Sequence, residues 1–194
     1  SIHQSEWYSE GSLRERINRS LDEMIACCTR RADSVIDVTD DGLGLSALEC
    51  ALDIAEQRRH EIDFRAAVYS PLGFSKSDTA SWALMEEGAQ IADLIACLPE
   101  KDDCHDYPEH IGYEACCSRM LDLAIRYNKP LQVHTDQMNH PSECGTERLL
   151  SVIERENLIF DKSTEPFVWV IHMISPSTYE EGRWLELVDR LKKA

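Results

Sequence analysis

The chain has 194 residues, which is enough for a hydrophobic core, and we predict a single domain over residues 1–194. Hydrophobic residues make up 43% and charged residues 29%, as is typical of soluble globular proteins. Asp and Glu (36) outnumber Lys and Arg (20), so the formal net charge is −16. This charge repels nucleic acid and anionic membrane surfaces, and we expect neither of them as a partner.

The cysteines and the apolar runs indicate the compartment. No apolar run approaches the roughly 18 residues of a membrane-spanning helix, and no signal peptide opens the sequence as given. Eight cysteines are present, and no two of them form a C-x-x-C motif. The adjacent pairs Cys27–Cys28 and Cys116–Cys117 lie in helical patterns, in which neighbours point about 100° apart. We therefore predict a cytoplasmic protein with mostly reduced, buried cysteines and no zinc–thiolate site.

Hydrophobic periodicity predicts strands and helices that alternate along the whole chain. Capping boxes at Ser12–Glu15, Ser46–Glu49 and Ser177–Glu180 are predicted to begin three of the helices. A further helix is predicted to begin at Ser77 or Asp78 and to end at Gly88. The remaining helices are predicted at 111–127 and 146–156, and the strands at 34–39, 64–69, 93–98, 131–134 and 167–173. Apolar stripes are predicted on the helix at 111–127 (Tyr113, Cys117, Met120, Leu121 and Ala124) and on the last helix (Trp184, Leu187, Val188 and Leu191).

Five strands, six helices and no hairpin signal predict an α/β fold of parallel βα repeats. Two architectures agree with this pattern: an open, doubly wound sheet, and a partial TIM-type (β/α)8 barrel. A complete barrel usually has about 250 residues and eight strands. The barrel interpretation therefore requires a fragment, or completion by another chain.

Two histidines end consecutive predicted strands. In both architectures the working residues follow the carboxyl ends of parallel strands. His134 and His172 lie at two such ends, and Asp136 follows the first of them. Neighbouring parallel strands are about 4.8 Å apart, so the two imidazoles can converge on one ion. Zinc needs at least three protein ligands, so the pair is only part of a site, and each histidine could instead be a structural, hydrogen-bonded imidazole.

Three other patterns have simpler interpretations. Residues 42–47 (GLGLSA) match the G-x-G-x-x-A dinucleotide motif, but Asp40 and Asp41 stand where a pyrophosphate would arrive, which favours a plain βα turn. The acidic residues of 100–103, with Glu109, are interpreted as a solvated loop. The polar segment 139–147 is either a helix start capped by Thr146 or a lip that faces a substrate.

Several stretches resemble the amidohydrolase superfamily, in particular its cytosine-deaminase-like branch. They are 129–137 (KPLQVHTDQ), 141–147 (PSECGTE) and 168–175 (VWVIHMIS), with weaker similarity over 36–38 and 47–54. The resemblance runs through nearly the whole chain. It implies a barrel segment from before the second strand to the helix after the sixth.

The resemblance also implies a metal site. In this superfamily a divalent metal is held by an H-x-H motif on strand 1, by histidines on strand 5 and often strand 6, and by an aspartate on strand 8. The resemblance places the strand-5 histidine at His134 and the strand-6 histidine at His172, with zinc or iron as the expected metal. The metal makes hydroxide from water, and the hydroxide adds to a ring or amide carbon while a carboxylate transfers protons.

Parts of that site are replaced or missing in the sequence as given. It contains neither the H-x-H motif nor the final aspartate. Gln137 stands where deaminases of this branch commonly have a glutamate, and an amide cannot exchange a proton as a carboxylate does. Asp136 and Glu143 are the candidate substitutes.

Three hypotheses follow. The first is a portion of a metal-dependent hydrolase acting on C–N bonds of a cyclic amide or amidine, with a small molecule as substrate. In it His134 and His172 bind the metal or position the hydroxide, and Asp136 and Gln137 orient ligand or substrate. The second is a non-catalytic α/β protein that has lost the metal site and associates with itself through sheet edges. The third is a nucleotide-binding open sheet built on 42–47. We expect a homo-oligomer.

Overall fold

Helices and strands alternate along the chain. The computed structural model describes residues 2–160 and 166–194. The helices are α1 (Glu10–Ala26), α2 (Ser46–Arg58), α3 (Ala80–Ile91), α4 (Tyr113–Tyr127), α5 (Gly145–Arg155) and α6 (Glu181–Lys193). The strands are β1 (Arg31–Asp37), β2 (Asp63–Tyr69), β3 (Leu94–Cys97), β4 (Leu131–Thr135) and β5 (Val168–His172).

The strand order decides between the two predicted architectures. The five strands follow one another in the sheet in the order of the sequence, β1-β2-β3-β4-β5. The pairs β1–β2, β2–β3 and β4–β5 are parallel. A doubly wound sheet requires a reversal of strand order, which is absent among these strands. The fold is therefore an α/β fold of parallel βα repeats, a partial TIM-type barrel with five strands and six helices, as predicted.

The chain divides into two compact units. Unit 1 comprises Ser1–Leu72 and Ser77–Ala96, and unit 2 comprises Gly73–Lys76 and Cys97–Ala194. The interpretation of residues 1–194 as a single domain stays a prediction.

In unit 1, helices pack closely on a three-stranded region. One face of the strands forms a buried cluster of Ala67, Leu94 and Ala96. Helix α3 contains Gly88, where a Cβ atom would lie 2.6 Å from Val68 Cγ2. Helix α3 continues to Ile91, so Gly88 lies inside it, at a point where the close approach of helix to strand requires a glycine. The prediction that it ends the helix was wrong.

In unit 2, the predicted apolar stripe of α4 is confirmed, because its five residues are all buried: Tyr113, Cys117, Met120, Leu121 and Ala124. Helix α5 buries Leu149, Leu150, Val152 and Ile153. Helix α6 differs, since only Leu187 is buried and Trp184, predicted on the same stripe, is 41% exposed. Helix α6 is therefore the least covered of the three helices of unit 2.

The three capping boxes were wrong in detail. Helix α1 begins after Ser9, whose hydroxyl accepts a hydrogen bond from Ser12 N. Ser46 is already the first residue of α2, and Ser177 lies in a 3-10 turn before α6. An N-cap serine needs an extended backbone, which Ser9 has (φ −63°, ψ 147°) and which sequence spacing alone does not specify.

All eight cysteines are free thiols. Four of them are buried: Cys50, Cys97, Cys116 and Cys117. Cys27 and Cys28 are exposed, because α1 ends at Ala26 and the backbone of Cys28 turns to φ 63°. In the described part of the chain, no helix is long and apolar enough to cross a membrane.

Candidate functional site

The structure brings two histidines of unit 2 together. His134 is the fourth residue of β4 and His172 the last of β5. Nδ1 of His134 lies 3.2 Å from Nε2 of His172, and the ring centroids are 5.2 Å apart at an interplanar angle of 61°. In the strand register, His172 is paired with Thr135 and not with His134. The backbone of His172 has the left-handed φ of 73°, so strand geometry ends at this residue.

Burial disfavours the protonated form of one member of the pair. His134 is half-buried, and burial lowers its pKa from the ordinary value, with the nearby His172 as a second cause. His172 is exposed. A neutral imidazole carries one N–H donor and one acceptor nitrogen, so one ring of the pair can donate to the other. The pair can hold and exchange a proton, and its metal-binding and catalytic roles stay predictions.

Asp136 serves the start of helix α5. It is fully buried, and its carboxylate accepts hydrogen bonds from Gly145 N (2.8 Å), Thr146 N (2.9 Å) and the Thr146 hydroxyl. Gly145 N and Thr146 N are backbone donors of the first helical turn and have no partner within the helix, and the helix dipole adds to their attraction for the carboxylate. Thr146, expected as a cap, is therefore a donor to Asp136. The carboxylate of Asp136 positions a loop and a helix, and its predicted contact with ligand or substrate stays a prediction.

The other two polar candidates differ from each other in exposure. Gln137 is exposed, directly after Asp136. Glu143 accepts hydrogen bonds from Met138 N (2.8 Å) and from the Ser175 hydroxyl. Glu143, like Asp136, is therefore engaged in holding loops at this edge of unit 2.

Sequence analysis missed Glu100. The acidic run 100–103 was expected to be solvated, but Glu100 is partly buried and Asp102 is 1% exposed. One carboxylate oxygen of Glu100 accepts hydrogen bonds from the Thr135 hydroxyl and from Asp136 N (3.3 Å). Burial raises the pKa of Glu100, and the hydrogen bond from Thr135 opposes this shift. The usable signal was position, since Glu100 lies just after a buried strand, where working residues concentrate.

Asp102 is buried for a different reason. Its carboxylate accepts a hydrogen bond from Phe74 N (2.7 Å) and lies 3.4 Å from His110 Nδ1. The pKa of Asp102 is raised, because the effect of burial exceeds the opposing effect of these contacts. Asp102 therefore fastens two loop segments of unit 2 to each other.

In unit 1, the side chain of His3, which lies in the 3-10 helix Ile2–Gln4, contacts carboxylates at and beyond the end of β1. Nδ1 of His3 lies 3.0 Å from Asp41 Oδ2, and its Nε2 lies 3.5 Å from Asp37 Oδ2. The Tyr8 hydroxyl donates to Asp37 (2.7 Å), and the pKa of Tyr8 is raised to about 12 by burial and by this carboxylate. Thr39 donates to Asp41 (2.6 Å). Sequence analysis did not single out this cluster.

The glycine-rich segment 42–47 forms the turn after β1. Gly42 and Gly44 have φ of 108° and 58°, and Gly44 N donates to Thr39 O (2.9 Å). Helix α2 begins at Ser46. The turn is thus closed by its own backbone, beside the carboxylate of Asp41.

The described residues do not form a complete metal centre. Within 2–160 and 166–194, no group of three or more His, Cys, Asp and Glu side chains is arranged to hold an ion. His134 and His172 supply two nitrogen donors, and the nearby carboxylates of Asp136 and Glu143 have other partners. Zinc needs at least three protein ligands, so the pair alone does not suffice.

Comparison with solved structures shows what the fold is similar to. The 5-methylcytosine deaminase from Klebsiella pneumoniae has TM-scores of 0.77 with 5-fluorocytosine bound and 0.78 with phosphonocytosine bound. Both comparisons are at 20% sequence identity and cover 95% of this chain, but only 41% and 42% of the deaminase chain. N-isopropylammelide isopropylaminohydrolase from Burkholderia multivorans has a TM-score of 0.69 at 20% identity, over 93% of this chain and 41% of that one.

Sequence comparison adds one relative of unassigned function. An uncharacterized protein of Haemophilus influenzae is 29% identical over 148 residues, which are 76% of this chain and 49% of the relative. The chain thus spans about half the length of the curated relative it matches. No family model matches. Over the part covered, the chain has the fold of the deaminase and aminohydrolase enzymes named above.

Proposed function

We propose that the chain is part of an amidohydrolase-like, metal-dependent hydrolase that acts on C–N bonds of a cyclic amide or amidine. The contact of His134 with His172, at the carboxyl ends of neighbouring parallel strands, is the observation that carries the proposal. In parallel βα folds this is where reacting groups collect. Two enzymes with similar folds, a deaminase and an aminohydrolase, support this class of reaction.

The proposed roles follow from burial and chemistry. His134 offers a ring nitrogen to the metal, because its lowered pKa favours the neutral form that can coordinate an ion. Exposed His172 binds the same metal or orients the attacking water. Exposed Gln137 offers a carbonyl and an NH2 group to a ring amide of the substrate. Asp136, between His134 and Gln137 in the sequence, holds the start of α5.

The proposal includes a divalent metal, zinc or iron, for which the described residues do not supply a complete set of ligands. His134 and His172 would supply two nitrogen ligands, and further ligands would have to come from elsewhere in the protein. When bound, such an ion lowers the pKa of a coordinated water.

The test is a native mass spectrum of the larger hydrolase proposed above, which contains this chain, prepared without added metal and followed by an assay of ammonia release from cytosine. We expect a stoichiometric divalent ion in an active preparation, and the loss of turnover in His134→Ala and His134→Gln. Replacement of His60, an exposed histidine of unit 1, is the matched control and should change neither. Unchanged turnover in both His134 variants would contradict the assignment.

Self-association without catalysis is the second candidate, and one edge strand favours it. Strand β5 (VWVIH) has no Lys, Arg, Asp or Glu, and Trp169 within it is 39% exposed. Natural edge strands are usually protected by charges, so an unprotected one pairs readily with another chain. A homo-oligomer in light scattering that becomes a monomer in Trp169→Lys, together with no bound metal and no turnover, would favour this candidate.

A further inference from the structure

Hydrogen bonds at the end of β4 join the two strand ends that carry the histidines. Thr135 is the last residue of β4, and Asp136 follows it with a left-handed φ of 57°; the two residues are called here turn 135–136. The carbonyl oxygen of Thr135 accepts a hydrogen bond from Met173 N (3.2 Å), directly after His172. The carbonyl oxygen of Asp136 accepts from Ile174 N (3.0 Å) and from Ser175 N (3.1 Å). Since His134 directly precedes this turn, it fixes the backbone beside both imidazoles.

The backbone around the turn is in an unfavourable conformation. Asp136, His172 and Met173 have φ of 57°, 73° and 49°. Residues with a Cβ atom rarely adopt this left-handed region, and they keep it only where surrounding contacts impose it. The contacts of the turn must therefore supply the free energy that holds the histidines in place.

Glu100 supplies contacts to this turn that come from neither histidine strand. It follows β3, and one of its oxygens accepts from the Thr135 hydroxyl and from Asp136 N. The hydroxyl of Tyr113 lies 2.9 Å from the same Thr135 oxygen, which extends the chain of hydrogen bonds into α4. The second oxygen of Glu100 is buried and has no hydrogen-bond partner among the described residues. Besides a hydrogen bond from its own backbone, the carboxyl group of Glu100 is thus bonded to turn 135–136.

We propose that Glu100 is a positioning residue for the His134–His172 pair, because its bonds to Thr135 and Asp136 fix the turn that connects the two strand ends. It acts through the backbone and does not itself touch a reacting atom. In the acidic run 100–103, Glu100 therefore holds the end of β4 in place. The inference rests on the function proposed above, because the His134–His172 pair is the proposed site, but the bonds of Glu100 can be tested without measuring that function.

The test compares Glu100→Ala with Glu100→Gln in the full chain, without substrate or metal. The readouts are the histidine ring signals in 15N NMR, the nuclear Overhauser contact between the two rings, and the denaturant midpoint. In Glu100→Ala we expect loss of the ring–ring contact and a shift of both ring signals. In Glu100→Gln the amide oxygen still accepts both bonds, so the contact and signals are expected to return.

Two further variants keep the inference falsifiable. Thr135→Val keeps the shape but removes the donor hydroxyl, and it is expected to weaken the ring–ring contact even where Glu100→Ala does not fold. Asp102→Asn alters a buried carboxyl two residues from Glu100 with different partners, and should leave the ring signals unchanged. Unchanged ring signals in a folded Glu100→Ala or in Thr135→Val would overturn the inference. Because no turnover is measured, this result and failure of the proposed hydrolase activity are distinguishable.

Discussion

Each unit of the chain has a histidine side chain beside the end of a strand, and the two differ in their neighbours. In unit 1, both ring nitrogens of His3 face carboxylates, those of Asp37 and Asp41. In unit 2, His134 faces a second imidazole, that of His172. Burial and the neighbouring imidazole lower the pKa of His134, which favours its neutral form.

The two clusters differ in which of their groups are already hydrogen-bonded. The His3 cluster joins the segment before α1 to the end of β1 by hydrogen bonds among its own polar atoms. The His134–His172 pair lies beside an exposed amide, that of Gln137, and His172 is itself exposed. The function proposed above therefore rests on the pair in unit 2.

The largest effect is expected from Gly145→Ala, which removes the support of the pair in unit 2. A Cβ atom at this position would overlap the Thr135 hydroxyl and lie 2.7 Å from the Tyr113 hydroxyl. The hydrogen-bonded chain to Glu100 would be broken, and we expect a loss of about 3 kcal/mol or more in the free energy of unfolding. Urea unfolding measures it.

Gly182→Ala is the matched control for this prediction. Gly182 lies in α6 with nothing within 4 Å of an added Cβ atom. Alanine is the better helix former, so this variant should be unchanged or more stable by about 0.5–1 kcal/mol. Equal midpoints for the two variants would show that the close approach at Gly145 is of no consequence.

A smaller effect is expected from His3→Gln in unit 1. A glutamine amide does not place one nitrogen beside each carboxylate as the imidazole ring does, so Asp37 and Asp41 lose a shared partner. We expect a loss of about 1 kcal/mol, because both carboxylates remain partly solvated. Hydrogen exchange should increase in residues 2–9, while the ring signals of His134 stay as they are. Increased exchange that extends to the end of β4 would contradict the separation drawn above.

The smallest expected effect is a change in the pKa of His134 in the variant His172→Asn. Loss of the neighbouring imidazole removes one of the two causes that lower the pKa of His134, and burial remains. We expect the pKa of His134 to rise part of the way to the ordinary value of about 6.5 in an NMR titration.

The sign of the accompanying pH effect follows from linkage. A histidine with a lowered folded-state pKa binds fewer protons than in the unfolded chain, so its contribution to stability is lost as the pH falls below about 6.5. The loss should be smaller in His172→Asn than in the unaltered protein. An equal loss in both proteins would mean that burial alone sets the pKa of His134.

Much of the fold was predictable because it depends on local patterns. The apolar stripe of α4 and the run of β5 are periodic in sequence, and both elements lie within two residues of their predicted ends. The first strand was predicted at 34–39 but lies at Arg31–Asp37. Its start was missed because the charged residues Arg31 and Asp33, which form an ion pair, interrupt the hydrophobic pattern. Edge strands carry such charges, which local hydrophobicity does not reveal.

The candidate site was predictable only in part. The rule that working residues follow parallel strands brought His134 and His172 forward as a pair. Glu100 and His3 were missed because their partners are distant in sequence, at Thr135 and Asp41. Acidic runs and single histidines have no periodic signal by which burial could be recognised.

The sequence by itself determined the alternation of strands and helices and the positions of two histidines at strand ends, because hydrophobic period and turn residues act over a few neighbours. Only the tertiary structure decided how the polar groups are used. The carboxylate of Asp136 bonds the start of α5 and not the histidines, and partly buried Glu100 bonds the end of β4 beside His134. The physical reason is that hydrogen bonds and pKa shifts depend on distances between segments, and folding alone brings those segments together.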